Sequence, residues 1–346
     1  MSNVKPRSPW KASIADQIRE GAIFVGSLLA SFFLVLRSPL SGKLGFFLSF
    51  LLIYSFITSL RSYLKFGSAT AKDSAIKVLI ACGALLTLIP ILSILATIIA
   101  KGYKGIKPNL FTNDMSMATS TDALTVGGLL HAIVGTLIMI GGALILSVPI
   151  GILTALYLTE IRGKFSRPIR FLVQAMSGVP SIVAGLFILS AVVYPITKSS
   201  SGFVGSLALS ILMIPTVART AEEVLGLIPE DLREAGTALG GTQWRTVAMI
   251  VVPAARSGLF TAVILGVARI AGETAPLLLL TGGGDRINGN PFNDPMGSLP
   301  FYIWKSFLAG SEEAVTRAWA GLLVLVLLIL ILFITARILG TRKATR

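Results

Sequence analysis

The sequence predicts an all-α membrane protein that crosses the bilayer about eight times and keeps both termini in the cytoplasm. Three observations predict it. Of 346 residues, 54% are hydrophobic and only 13% charged, with a mean hydropathy of +0.82; a soluble domain carries about 25% charged residues. Long apolar runs recur along the chain without the period-2 alternation of a membrane barrel. Basic residues collect on alternate sides of those runs, as the positive-inside rule requires. A soluble enzyme, a disordered chain and a fibrous chain are excluded on composition.

A membrane helix needs about 20 mostly apolar residues, and the runs fall at 21–36, 44–60, 78–100, 130–158, 171–196, 203–218, 257–281 and 318–336. The first two are short. Run 21–36 follows a basic start, as a signal peptide would, yet no small-residue cleavage site follows it and a second run comes at once. An N-terminal hairpin ahead of the main domain is the better reading. Run 130–158 contains Pro149, run 171–196 contains Pro180 and run 257–281 contains Pro276; membrane helices tolerate such residues where neighbours satisfy the backbone, and Pro180 predicts a kink. With the N-terminus inside, Lys and Arg divide roughly two to one in favour of the cytoplasmic segments. The net charge of +14 is therefore read as membrane topology and not as a nucleic-acid surface. One Cys, Cys82, and one His, His131, leave no internal disulfide and no histidine or multi-cysteine metal cluster. No cofactor or metal is expected. His131 opens a span on the outer side, where a structural role is the simplest reading.

Two charges lie within run 257–281, Arg269 and Glu273. Their i,i+4 spacing places them on one face of a continuous helix. An ionised residue at mid-bilayer costs at least about 2.5–3.5 kcal/mol on insertion scales, so the pair is either a self-neutralised packing device or a polar station on an internal pathway. Arg offers a planar fork of donors suited to an oxyanion. Arg219 closes the short span 203–218 and is either a further pathway residue or an ordinary anchor.

The polar stretch between runs 203–218 and 257–281 carries its own helix signals. Pro229-Glu230-Asp231 starts a helix, and Gly240-Gly241 ends it. Leu232, Ala235 and Leu239 form one apolar edge. Thr242 can cap a following helix, and Pro253 begins the return to the membrane. A short helix held out of the membrane with an apolar edge suits a partner's groove or the membrane surface.

These residues resemble a known family. Glu234-Ala235-Gly236-x3-Gly240-x9-Ile250-x-Val252-Pro253 is similar to the EAA loop of ABC-importer permeases, E-A-A-x3-G-x9-I-x-L-P, with Gly236 in place of Ala and Val252 in place of Leu. ARIAGETAPLLLLTGG (268–283), IPTVARTAEEVLGLIPEDLREAG (214–236), GVPSIVAGLF (178–187), NLFTNDM (109–115) and AWAGLLVLVLL (318–328) resemble the PstA-type permeases of phosphate uptake. The resemblance covers roughly residues 75–340. It implies a six-helix core of the type I ABC importer fold, with the N-terminal hairpin added, divided as an extension at 1–75, a permease domain at 76–340 with its EAA loop at about 219–256, and a basic tail at 341–346. It further implies a pore shared with a PstC-like second permease, two copies of a PstB-like ATPase under the EAA helices, and a PstS-like binding protein that delivers inorganic phosphate. Arg219, Arg269 and Glu273 are the family's important charged positions; Leu232, Glu234, Ala235, Gly236, Gly240 and Pro253 belong to the coupling loop. The chain has no G-x4-G-K-[ST] element, so ATP hydrolysis is assigned to a separate subunit. Other readings are a permease for sulfate or molybdate, an intramembrane enzyme and a passive anion channel. The Gly272-Glu273-Thr274 context argues for phosphate.

Overall fold

The computed structural model describes residues 14–37 and 42–341. The N-terminal basic residues up to 13, the hairpin loop at 38–41 and the basic tail from 342 lie outside the described residues. Among the described residues the structure is helical, with a single isolated bridge between Gly282 and Met296. Seven helices are long and apolar enough to cross a membrane, or eight if one sharply bent pair is a single span. The chain divides into two compact units, Met1–Ala96 and Thr97–Arg346.

The first unit holds α1 (Ile14–Arg37), α2 (Lys43–Phe66) and most of α3 (Ser68–Gly102). Both hairpin helices are longer than their apolar runs, because polar residues extend each run by a turn or more. Ser27, Ser31 and Ser49 are buried, the small-residue seam expected where membrane helices approach closely. The Ser27 and Ser31 hydroxyls donate to the carbonyls of Ile23 and Ser27, four residues back, at 2.7 and 2.6 Å, so neither is left unpaired. Phe50 stacks on Tyr54 with centroids 5.6 Å apart, and Phe24 meets both rings edge to face at 5.3 and 5.8 Å.

The second unit is built on α4 (Leu130–Leu156) and α7 (Gly202–Gly226). Gly142 faces Ser206 and Gly151 faces Val217, and the absent side chains let the two helices touch backbone to side chain. Met139, Leu209, Leu212, Met213, Val217 and Ile270 fill the core around them. α4 ends in a π-helical turn, Tyr157–Ile161, stopped by Arg162 in a left-handed conformation.

Run 171–196 is not one kinked helix. α5 (Ser166–Ser177) and α6 (Ser181–Ile188, continuing as a π-helical stretch to Thr197) meet at 104°. Pro180 has no N–H to give and pushes Val179 out of the helical region, so the turn breaks completely between Gly178 and Pro180. The return to the membrane also begins earlier than Pro253. α9 (Gln243–Thr246), a π-helical stretch Val247–Val251 and α10 (Val252–Ala271) run on as one helix of 29 residues. The wide turn falls just before Pro253, where the missing N–H would otherwise interrupt the ladder. Between α7 and α9 lies α8 (Glu230–Ala238). α10 stops at Ala271 and the chain restarts as α11 (Ala275–Leu280). α12 (Leu299–Ala309), which no apolar run announced, starts on a Ser298 hydroxyl that accepts from the Phe301 N–H, and α13 (Glu312–Thr341) completes the unit.

Candidate coupling and translocation site

α8 forms as its local signals dictate. Pro229 stands at its N-cap with Glu230 and Asp231 in the first turn, where acids favour the helix dipole. Gly240 closes it at φ +82°, with its N–H on the Thr237 carbonyl at 2.9 Å. Thr242 then caps α9, its hydroxyl oxygen accepting from the Arg245 N–H.

The position of α8 is set by a contact that the sequence did not announce. Arg233 reaches back to Glu160 at the end of α4, with Nε on Oε2 at 3.0 Å and Nη2 on Oε1 at 2.9 Å. The same guanidinium donates to the Ile228 carbonyl at 2.6 Å and the Leu225 carbonyl at 3.0 Å. Both side chains are enclosed, 14% and 6% exposed, and hydrogen bonding to the Glu160 carboxylate raises the Arg233 pKa above its ordinary value. Gln243 Nε2 adds a bond to the Glu160 carbonyl at 2.6 Å. Glu160 therefore ties the end of α4 to α8 and α9, and Arg233 carries the tie on to the end of α7. Gly236 is buried against Thr246 and Ile250, and a Cβ there would come within 2.6 Å of Thr246 Cγ2. The replacement of the family's Ala by Gly thus follows from tight packing of α8 on the π-helical stretch.

The rest of α8 faces outward. Leu232 is 41% and Leu239 88% exposed, and Ala235 and Glu234 are exposed with them. The apolar edge is present, held on a locked helix, and uncovered in this chain.

The residues expected to line a pathway are arranged differently from the expectation. Arg269 and Glu273 do not share a helix. α10 ends at Ala271, Gly272 leaves the helical region, and Glu273 lies in the break, its N–H closing the last turn on Ile270 at 3.1 Å. Among the described residues no ion pair joins the two. Arg269 instead crosses to α7, where Nη1 donates to Thr216 Oγ1 at 2.8 Å. Thr216 and Arg219 are i,i+3 neighbours on α7, so the structure brings Arg269 within a turn of Arg219. Both arginines are exposed on the chain, and Arg219 has a long contact with Glu223 at 3.7 Å. Arg170 on α5 holds Glu222, the residue before Glu223, at 2.6 Å. Arg269 Nη1 alone is engaged by Thr216, so the exposed guanidinium keeps further donors that can receive an oxyanion. Glu273 is half-buried. The two breaks, before Ser181 and before Ala275, belong to helices that pack together, with Gly185 of α6 against Pro276 of α11.

At the other end of the α4–α7 pair the chain is tied by a second buried arginine. Arg317, 3% exposed, donates to the carbonyls of Thr119, Ser120, Asp122, Ala123 and Val126 at 2.8–3.4 Å. It folds an otherwise irregular loop onto α13. Asp114 joins that loop to the next, accepting from the Ser116 hydroxyl at 2.7 Å and the Ile287 N–H at 3.2 Å. The Ser116 bonds hold its carboxyl below the usual range. His131 is buried beside Tyr302, rings edge to face at 5.6 Å, which is a packing role.

Residues 147–345 match the family described as binding-protein-dependent transport system inner membrane component. The chain is 37% identical over 260 residues to the phosphate transport system permease protein PstA 1 of Mycobacterium tuberculosis, covering 74% of this chain and 85% of that protein. It is 39% identical over 254 residues to the PstA protein of Pasteurella multocida, covering 72% and 88%. A solved structure of the MetNI methionine ABC transporter in an inward-facing conformation aligns with a TM-score of 0.49 at 21% identity, over 63% of this chain and 95% of that one. On the family match and the identity to whole relatives, the chain belongs to the PstA permeases of phosphate transport systems, among the binding-protein-dependent inner membrane components.

Proposed function

We propose that the chain is the transmembrane permease subunit of an ATP-driven phosphate importer, forming half of the translocation pathway and coupling through α8 to a separate ATPase. The observation that carries this reading is the locked helix with an uncovered edge. Glu160 and Arg233 fasten α8 to the ends of α4 and α7 at 2.9–3.0 Å, while Leu232, Glu234 and Ala235 are left outward for a partner. A push on α8 would pass through that ion pair into the two helices at the centre of the unit. The exposed Arg219–Arg269 face would line the pathway against a PstC-like second permease, with Glu273 at the break shaping it.

In the same reading α8 and both termini are cytoplasmic, and the loops at 103–129 and 281–298 face a PstS-like binding protein outside. The protein sits as a multi-pass subunit in the inner membrane of a prokaryote, above two PstB-like ATPase copies. Its permease domain is 76–340, and residues 1–75 are an addition to it. The test is reconstitution of the assembled complex in liposomes. Phosphate-loaded binding protein should stimulate ATP hydrolysis and phosphate uptake together, and Glu234→Lys should leave the subunit in the membrane while abolishing both. Uptake retained by a variant that no longer copurifies with the ATPase refutes the coupling role, and stimulation by sulfate in place of phosphate refutes the substrate.

A further inference from the structure

The first unit has a site of its own, outside residues 147–345 that match the family. Where α2 turns into α3, three cations converge. Arg61 and Lys65 lie one turn apart on α2, Lys77 faces them from α3, and together with Glu20 of α1 they line a cavity of about 440 Å³. Among the described residues that line it, three bases stand with one acid. Its floor is polar. Ser62 Oγ and Ser74 Oγ are 2.6 Å apart, and because one hydroxyl hydrogen serves that bond, the other is available to an acceptor. The positive-inside rule explains why bases gather at such a turn, but it asks only for charge near the membrane surface. It does not ask for a cavity between three helices with hydroxyls at its base.

A second observation says what would fill it. The adjoining face of α2, with Ile57, Leu60 and Leu64, is an open apolar surface interleaved with Arg61 and Lys65, the same two cations that line the polar cavity. Leu64 is 76% exposed. The cations therefore stand beside an exposed apolar helix face, at the end of two membrane-length helices. That pairing suits an amphiphile with an anionic head and an apolar tail. Basic pockets between membrane helices at the bilayer surface take phosphate headgroups, and lysines serve as point charges for them.

We propose that this corner binds a phosphate group, and that the apolar helix face beside it makes the source the headgroup of an anionic phospholipid. The N-terminal unit would then carry a bound phospholipid of its own.

The test uses the assembled complex extracted into nanodiscs containing phosphatidylglycerol and phosphatidylethanolamine. Retained lipid is counted by native mass spectrometry for the unaltered protein, for Lys65→Gln/Lys77→Gln and for Lys65→Arg/Lys77→Arg. The Gln variant should lose phosphatidylglycerol affinity on the order of thirtyfold, about fivefold for each cation removed, with phosphatidylethanolamine and complex assembly unchanged. The Arg variant should retain it. A second arm measures binding of inorganic phosphate to lipid-depleted complex in uncharged detergent. Equal phosphatidylglycerol retention with phosphate binding lost only in the Gln variant keeps the phosphate site and overturns the lipid as its source. No difference between the Gln variant and the unaltered protein in either arm overturns the site.

Discussion

Arg233→Lys isolates the geometry of the α8 lock from its charge. The guanidinium spans four acceptors in two directions, both Glu160 oxygens and the carbonyls of Leu225 and Ile228. A Lys ammonium is a single point with three donors. It can stay near Glu160, but it cannot also reach both carbonyls at the end of α7. Bonds from charged donors contribute about 1.5–3 kcal/mol each, so losing two costs about 3 kcal/mol at the lower bound. That shifts the docking equilibrium of α8 by roughly 150-fold. The change is local, because the core around Met139, Leu209 and Val217 is untouched. Amide hydrogen exchange should therefore accelerate by about two orders of magnitude over residues 230–239 and stay unchanged in α4 between residues 139 and 147. In reconstituted complex, phosphate uptake per ATP hydrolysed should fall sharply at matched protein level. Glu160→Gln should behave in the same way, since it leaves an enclosed guanidinium opposite a neutral amide. Unchanged exchange over 230–239 together with uptake within twofold of the unaltered protein would refute the idea that this ion pair holds α8 in place.

Other positions give separate expectations. Arg269→Lys keeps a charge opposite Thr216 and loses the fork; membrane levels should be normal and phosphate uptake at least tenfold lower, and near-normal uptake in the assembled complex would remove fork recognition from the pathway. Gly240 has φ +82° with open space around it, so Gly240→Val costs only the left-handed conformation, about 1–2 kcal/mol; uptake should drop with Val and be largely kept with Asn, which tolerates that conformation. Arg317→Gln removes donors from five carbonyls. Limited proteolysis should then cut between 119 and 126, and uptake driven by binding protein should be lost. The Asp114 carboxyl is held low mainly by Ser116, so its contribution is complete above the unfolded value of about 3.9 and disappears as pH falls through the folded value. Acid titration followed by exchange at Ile287 should show loosening at low pH that Asp114→Asn abolishes.

What the sequence determined by itself is local. Composition and the length of the apolar runs settle an all-helical membrane protein, because hydrocarbon leaves the backbone few alternatives. The α8 loop is readable because its signals are local: Pro229, the acids that follow it, Gly240 and Thr242 act on their own turns, and the apolar edge of Leu232, Ala235 and Leu239 follows from 3.6-residue periodicity. Tertiary structure decided what depends on partners far along the chain. Glu160 and Arg233 are 73 residues apart, and Arg317 and Thr119 are 198 apart; no periodicity links them, and an acid next to a span end or a base at the start of one reads as ordinary topology. The pairing of Arg269 with Glu273 failed because the i,i+4 rule holds only within a continuous helix. Gly272 and Pro276, noticed as local irregularity, in fact end one helix and start another. The cost of a charge in an apolar run marked Arg269 as a residue needing a partner, but only the packing of α10 on α7 determined that the partner is Thr216, one turn from Arg219.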